Sequence, residues 1–122
     1  MKHIITAIFI IGSTLVQAKA DFSSGEDLYN TCSQKDYESF CLGYFTGFNS
    51  GTWSGAITVY VQNNEYNDEK ISKILNYCLP VEFSIYQFKD IVLEYIGRNQ
   101  ASKREQASYA ITLALSDAYP CN

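Results

Sequence analysis

Apolar residues recur at helical spacing through the second half of the chain. After Ser84 they stand three and four residues apart, which is the stripe that one face of a helix turns towards a core. The stripe consists of Phe88, Ile91, Val92, Tyr95 and Ile96. Ser84 and Gln87 have the spacing of a capping box at its start, and Gly97 is a natural stop. The pattern predicts a helix between Ser84 and Gly97.

A second helix is predicted after this one. A second capping box begins at Ser102, and Pro120 ends the pattern. Its apolar stripe comprises Ala107, Ala110, Ile111, Ala114, Leu115 and Ala118. Because the connection is short, the two helices are predicted to form an antiparallel hairpin. Shorter helices are predicted from Ser23 and from a cap at Asp68. The inward positions of the latter are Ile71, Ile74, Leu75 and Cys78.

The central segment from Phe40 to Val61 contains no charged residue, and every fourth position in it is a glycine. These glycines are Gly43, Gly47, Gly51 and Gly55. Length and glycine spacing also suit a membrane span, and the β-branched run at 57–61 also suits a strand. Polar side chains at its centre oppose the span. We predict a long buried helix whose glycine face lies against another helix backbone, within an all-α bundle of about five helices.

Residues 1–20 have the composition of a secretory signal peptide. A basic start is followed by an apolar run from Ile4 to Val16 and by an Ala-Lys-Ala cleavage signal. The run is shorter than the roughly 20 residues that span a bilayer. We therefore predict export to the periplasm, no membrane insertion, and one mature helical domain at 21–122.

The net charge of this mature part indicates which classes of partner it can bind. It carries seven basic and thirteen acidic side chains, a net charge of −6. That balance disfavours nucleic acid and anionic lipid and suits a basic protein. Solubility alone explains the acidity equally well.

All four cysteines lie in the predicted mature domain: Cys32, Cys41, Cys78 and Cys121. An even number in an exported chain predicts two disulfides. Zinc is the competing interpretation, but neither a Cys-x-x-Cys pair nor a histidine supports it. Cys78 precedes one hairpin helix and Cys121 follows its neighbour, so we expect these two to meet. Cys32 would then pair with Cys41, although the other two connectivities stay open.

Candidate catalytic chemistry is sparse. The one histidine, His3, lies in the predicted signal peptide, so the mature domain lacks the commonest general base and metal ligand. Aspartates and glutamates stand mostly at helix starts or on polar faces, where capping and solubility explain them. The sequence favours a binding protein over an enzyme, with no cofactor and no metal.

Four groups of residues, taken in their order along the mature part, match the pattern of a known protein family. They are Cys41-Leu42-Gly43-Tyr44-Phe45-Thr46-Gly47, Tyr77-Cys78-Leu79-Pro80, Gln87 with Ile91-Val92 and Tyr95-Ile96, and Ala114-Leu115 with Ala118-Tyr119-Pro120-Cys121. Together they resemble the Rap/Tai family of type VI secretion immunity proteins. The resemblance implies a periplasmic, all-helical, often dimeric protein. Such proteins bind and block a peptidoglycan-cutting amidase that neighbouring bacteria inject.

Two polar segments are candidates for the effector-binding surface that this resemblance implies. The first comprises Glu65, Tyr66, Asn67, Asp68 and Glu69. An exposed tyrosine among carboxylates would fill a cleft and complement a basic rim. A solvated connector is the alternative. The second is the hairpin connection from Arg98 to Lys103, where Arg98 and Asn99 replace a His-Pro pair frequent in the family.

Two further hypotheses concern assembly and class. Tyr86 with Leu93, and Tyr109 with Leu113, place apolar pairs on the second faces of the last two helices. Those faces suit a homodimer interface, although packing against the central helix explains them as well. A small periplasmic binding module or acid-stress chaperone is the alternative class. Two disulfides and capped helices oppose the partial unfolding that such a chaperone needs.

Overall fold

The computed structural model describes residues 22–61 and 67–122, which form helices and no strand. In chain order these are α1 (Gly25–Cys32), a 3₁₀ turn (Lys35–Tyr37), α2 (Glu38–Val61), α3 (Asp68–Leu75), α4 (Ile85–Arg98), α5 (Gln100–Arg104) and α6 (Ala107–Ala118). The predicted all-α class and the long central helix are confirmed. The predicted signal peptide lies outside the described residues.

Side-chain caps define most of the helix starts. The capping box before α4 is confirmed, because the Ser84 hydroxyl accepts from the Gln87 N–H at 3.2 Å and Gln87 Oε1 accepts from the Ser84 N–H at 2.9 Å. α1 is capped by Ser24, one residue later than predicted. α3 is capped by Asn67 and not by Asp68. In both corrected cases the cap is the extended residue whose side-chain oxygen reaches a free N–H of the first turn.

The connection between α4 and α6 differs from the prediction. Asn99 caps a short extra helix, α5, by accepting from the N–H groups of Ala101 and Ser102 at 3.1 and 3.4 Å. Ser102 therefore lies inside α5, where its buried hydroxyl donates to the Asn99 carbonyl at 2.7 Å. α6 begins after Gln106, which makes no side-chain cap. The capping box predicted at Ser102 is wrong because Asn99 satisfies the free N–H groups first.

One cluster of buried side chains joins α1, α2, α4 and α6. The α4 stripe contributes Phe88, Val92 and Ile96, which are buried at four-residue intervals. The α6 stripe contributes Ala107, Ala110, Ile111, Ala114 and Leu115. In α3 only Ile71 is buried, and Ile74 is 50% exposed, contrary to the prediction. The reason is that α3 packs chiefly against α2, so a narrow strip of it is covered.

The two disulfides have the predicted connectivity. Cys32 joins Cys41 with Cα atoms 5.7 Å apart, and Cys78 joins Cys121 with Cα atoms 5.1 Å apart. The first ties α1 to the start of α2. The second ties the segment after α3 to the chain end, where the Cys78 N–H also donates to the Tyr119 carbonyl at 2.8 Å. The C-terminal segment is thus fixed by a covalent and a hydrogen bond.

The glycines of α2 face open space, which corrects the prediction that another helix backbone covers them. A Cβ built on Gly43, Gly47, Gly51 or Gly55 meets nothing within 4 Å. The side of α2 that packs on the protein carries larger residues, of which Cys41, Phe45 and Ala56 are buried. Since α3 and α4 both lie against that side, nothing among the described residues reaches the glycine side.

Candidate protein-binding surface

The exposed glycine face of α2 is neutral and built from small side chains. Besides the four glycines it presents Ser39, Thr46, Ser50, Ser54 and Thr58. Phe40, 48% exposed, stands near one end and Val61, 58% exposed, at the other. Each interior glycine costs the helix about 1 kcal/mol relative to alanine. No described residue approaches this face in a way that offsets the cost.

The acidic candidate segment begins α3. Glu65 and Tyr66 lie outside the described residues. Asn67 Oδ1 accepts from the Glu69 N–H at 2.8 Å, and Glu69 forms an exposed ion pair with Lys73 at 2.7 Å. The hydrogen bond from Lys73 holds the pKa of Glu69 below its usual value. Asp68 and Glu69 also place negative charge at the positive end of the helix dipole. Part of the negative charge in this segment therefore stabilises α3.

The second candidate segment is also tied into the fold. Arg98 Nη2 donates to Asp117 Oδ2 at 2.7 Å, and its guanidinium stands 5.8 Å from the centre of the Tyr95 ring. Asn99 caps α5 and donates through Nδ2 to the Tyr95 hydroxyl at 3.2 Å. The predicted hairpin loop from Arg98 to Lys103 is thus mostly helix, with Asn99 between α4 and α5. Arg98 and Asn99 share Tyr95 as a partner, whereas Asn67 and Glu69 belong to a different helix with different contacts.

The connection between α3 and α4 presents a surface that the sequence did not reveal. Val81 is 103% exposed, the highest value of any large apolar side chain among the described residues. The segment around it is nevertheless anchored on both sides. Cys78 is held by its disulfide, and the Phe83 ring packs edge-on against Tyr119 with centroids 5.3 Å apart. Pro80 restricts the backbone directly before the valine.

Beside this connection, α4 turns an acidic face towards solvent. Tyr86, 57% exposed, stands in its first turn. Asp90 and Glu94 follow it at four-residue intervals on the same helix face, and Glu82 precedes the helix. No described cation forms an ion pair with these three carboxylates. Lys89, the neighbouring base, instead binds Glu38 at 2.7 Å. That hydrogen bond lowers the pKa of Glu38 and raises the pKa of Lys89. Glu38 is therefore the main partner of Lys89, and Asp90 contributes a weaker electrostatic attraction.

The remaining polar groups serve the fold. All four cysteines are in disulfides, and within 22–61 and 67–122 no cluster of His, Cys, Asp and Glu has the arrangement of a metal site. Tyr77 is buried, and its hydroxyl lies 3.3 Å from Thr52 Oγ1. Burial raises the pKa of this tyrosine. Over the same ranges, no helix combines the length and apolar character that crossing a membrane requires.

Fold and surface together define a class, a small helical protein with two disulfides and exposed neutral and acidic faces. A family model, that of Rap1a immunity proteins, matches residues 24–121. The chain belongs to the Rap1a immunity protein family, which confirms the resemblance noted from the sequence. Its members are immunity proteins, so the chain is an immunity protein against a secreted effector. No curated protein and no solved structure matches it.

Proposed function

We propose that the chain is a periplasmic immunity protein of the type VI secretion system, which binds a cognate peptidoglycan amidase and occludes its active-site cleft. The observation that carries the proposal is the family match over residues 24–121. Two disulfides support an oxidising compartment such as the periplasm. Residues 1–20, with the composition of a signal peptide, supply the route there.

The proposed mature protein is one helical domain, 21–122, that acts by binding alone. It contains no histidine, and an inhibitor needs only to occupy the cleft. Purified 21–122 should therefore leave peptidoglycan and muropeptides unchanged, with or without added divalent metal. Reproducible cleavage that a single Asp or Glu substitution abolishes would show an enzyme instead.

The predicted anchor of this binding is Tyr66, with Glu65, Asp68 and Glu69 acting on the association rate. Truncation of a central anchor typically costs 2 kcal/mol or more, a loss of about thirtyfold in affinity. The test is calorimetric titration of Tyr66→Ala against the candidate effector, the product of the adjacent gene. Tyr37→Ala, which removes another exposed tyrosine, is the matched control. Equal affinity for wild type and Tyr66→Ala would exclude this anchor.

The second candidate segment contributes less in this proposal. The side-chain oxygen of Asn99 caps α5, so substitution of Asn99 should mainly lower the stability of the fold. Arg98 is exposed and keeps donors beyond its bond to Asp117. We place Arg98 at the edge of the effector contact, and Asn67 among the residues that hold α3 in shape.

The homodimer belongs to the same proposal, and the glycine face of α2 suits it better than the outer faces of α4 and α6. A two-fold interface brings the same patch of both copies together. The mature chain is acidic, and a neutral face lets two like-charged copies approach. Without Cβ atoms, the two helix backbones can come close. Light scattering should find a dimer, and Gly47→Leu should shift it towards monomer while far-UV ellipticity is retained.

A further inference from the structure

We propose that the connection between α3 and α4, together with the first turns of α4, is a docking surface for the effector. The matching surface of the effector would carry an apolar pocket with basic groups around it. The residues of the docking surface are Val81, Glu82, Tyr86, Asp90 and Glu94, which we name the Val81 surface. This inference rests on the proposed function, since it assigns a contact surface for the same partner. It does not involve Tyr66 or Arg98.

Val81 is fully exposed to solvent, yet the segment that carries it is held on both sides. A fully exposed valine is ordinary in a loose loop, but this one stands on a fixed segment. The Cys78–Cys121 disulfide and the Tyr119 carbonyl hold one side, and the Phe83 ring, packed against Phe88 and Tyr119, holds the other. A fixed segment loses little conformational freedom on binding, which is the condition for an apolar contact to contribute affinity.

Tyr86, five residues after Val81 in the chain, is the second exposed apolar group. Tyr86 is 57% exposed in the first turn of α4, and the capping box at Ser84 and Gln87 fixes that turn. A tyrosine buries a large area for the loss of few rotamers, and its hydroxyl keeps a hydrogen bond, so tyrosine is enriched at the centre of interfaces. Val81 and Tyr86 are thus two exposed apolar side chains five residues apart, each on a part of the chain that neighbouring contacts hold in place.

The negative charge near Val81 and Tyr86 determines which kind of partner this surface can bind. Glu82 precedes α4, and Asp90 and Glu94 follow Tyr86 at four-residue intervals on the same face of that helix. None of the three forms an ion pair with a described cation, and Asp90 interacts with Lys89 only at longer range. Lys89, the base closest in sequence, is bound to Glu38. A second copy of the same acidic surface would be repelled, because like charges that face each other across an interface are costly. A partner with basic groups around an apolar pocket is complementary in both respects.

The experiment measures binding of the full mature chain to the candidate amidase, the product of the adjacent gene, by calorimetry and by surface plasmon resonance. Val81→Arg adds length and positive charge to this surface and should weaken binding by about thirtyfold or more at an unchanged melting temperature. The control is Tyr109→Arg, a substitution at another half-exposed apolar residue. Tyr109 lies in the first turn of α6. The Phe83 ring beside Val81 packs against Tyr119, which is about 15 Å further along α6. The Tyr109→Arg variant should therefore bind like wild type.

A second variant tests the charge argument separately. The triple substitution Glu82→Gln, Asp90→Asn and Glu94→Gln should slow association at low salt, and its difference from wild type should fade as ionic strength rises. A triple variant whose association rate and salt dependence match wild type would overturn the assignment of a basic partner.

The outcomes separate this inference from the function it rests on. If wild type binds and Val81→Arg binds equally well, the Val81 surface is wrong while the immunity function stands. If Val81→Arg instead changes the oligomeric state, the surface serves self-association and the inference is overturned. If wild type does not bind the amidase at all, the proposed function fails and the inference fails with it.

Discussion

Gly25 is the position where a single methyl group should cost most stability. A Cβ added there would overlap the carbonyl oxygen of Ser102 and stand 3.2 Å from the Cβ of Ala110. The Gly25 N–H also donates to the Glu105 carbonyl at 2.9 Å, so α1 cannot move away without breaking that bond. No glycine among the described residues has a positive φ. Gly25 is therefore needed for space and not for backbone conformation.

The cost follows from what must give way. The overlapping atom is backbone, and the α5 segment that carries it is held by the Asn99 cap, so relief requires a shift of α1 or α5. Overpacking of this kind costs about 1–3 kcal/mol. In a domain of this size each kcal/mol lowers the melting temperature by about 4–8 °C. Gly25→Ala should therefore melt roughly 5–20 °C below wild type in far-UV circular dichroism.

The matched control is the same substitution at Gly47 in α2. A Cβ there meets nothing within 4 Å, and alanine is favoured over glycine by up to about 1 kcal/mol in a helix interior. Melting of Gly47→Ala at low protein concentration, where association contributes least, should be at or above that of wild type. If Gly25→Ala melts at or above the wild-type temperature, the close packing of α1 on α5 is refuted.

Three further predictions concern the cap, the buried tyrosine and the second disulfide. Ser84→Ala removes the α4 capping box and should cost about 1 kcal/mol, read as a drop of about 4–8 °C in melting temperature. Burial raises the pKa of Tyr77, so the unfolded chain loses this proton first. Its contribution to stability is complete below about pH 10 and declines as the pH rises through the folded-state value, and Tyr77→Phe should remove that part of the alkaline loss in melting curves. The double substitution of Cys78 and Cys121 by serine opens a loop with a sequence separation of 43, and denaturant unfolding should show a loss of about 4 kcal/mol.

Local signals predicted the α4 region well because its determinants are close together in sequence. Ser84 and Gln87 stand three residues apart and satisfy each other, and the burial of Phe88, Val92 and Ile96 follows from helical spacing. Ser102 shows the limit of the same reasoning. Its spacing also suits a cap, but Asn99 competes for the same N–H groups and α5 forms instead. The choice between two adjacent caps depends on packing that the local pattern does not contain.

The candidate site was harder to predict because it depends on exposure. Helical spacing placed the four glycines of α2 on one face but did not determine whether another helix covers it. The Pro-Val-Glu stretch at 80–82 has no periodicity, and only the positions of the Cys78–Cys121 disulfide and the Phe83 ring show that Val81 is presented on a fixed segment. Conversely, Asn67 and Asn99 are polar and suited to binding, yet both spend a side-chain oxygen as helix caps.

Inhibition of the amidase by the mature protein tests the central proposal most directly. The product of the adjacent gene, the candidate amidase of the proposal, is incubated with peptidoglycan, and released muropeptides are counted as protein 21–122 is added. Activity should fall to zero near a fixed stoichiometric ratio, and protein reduced to open both disulfides and then alkylated should inhibit far less. Undiminished cleavage in the presence of excess, correctly folded protein would contradict the assignment of this chain as the inhibitor of that amidase.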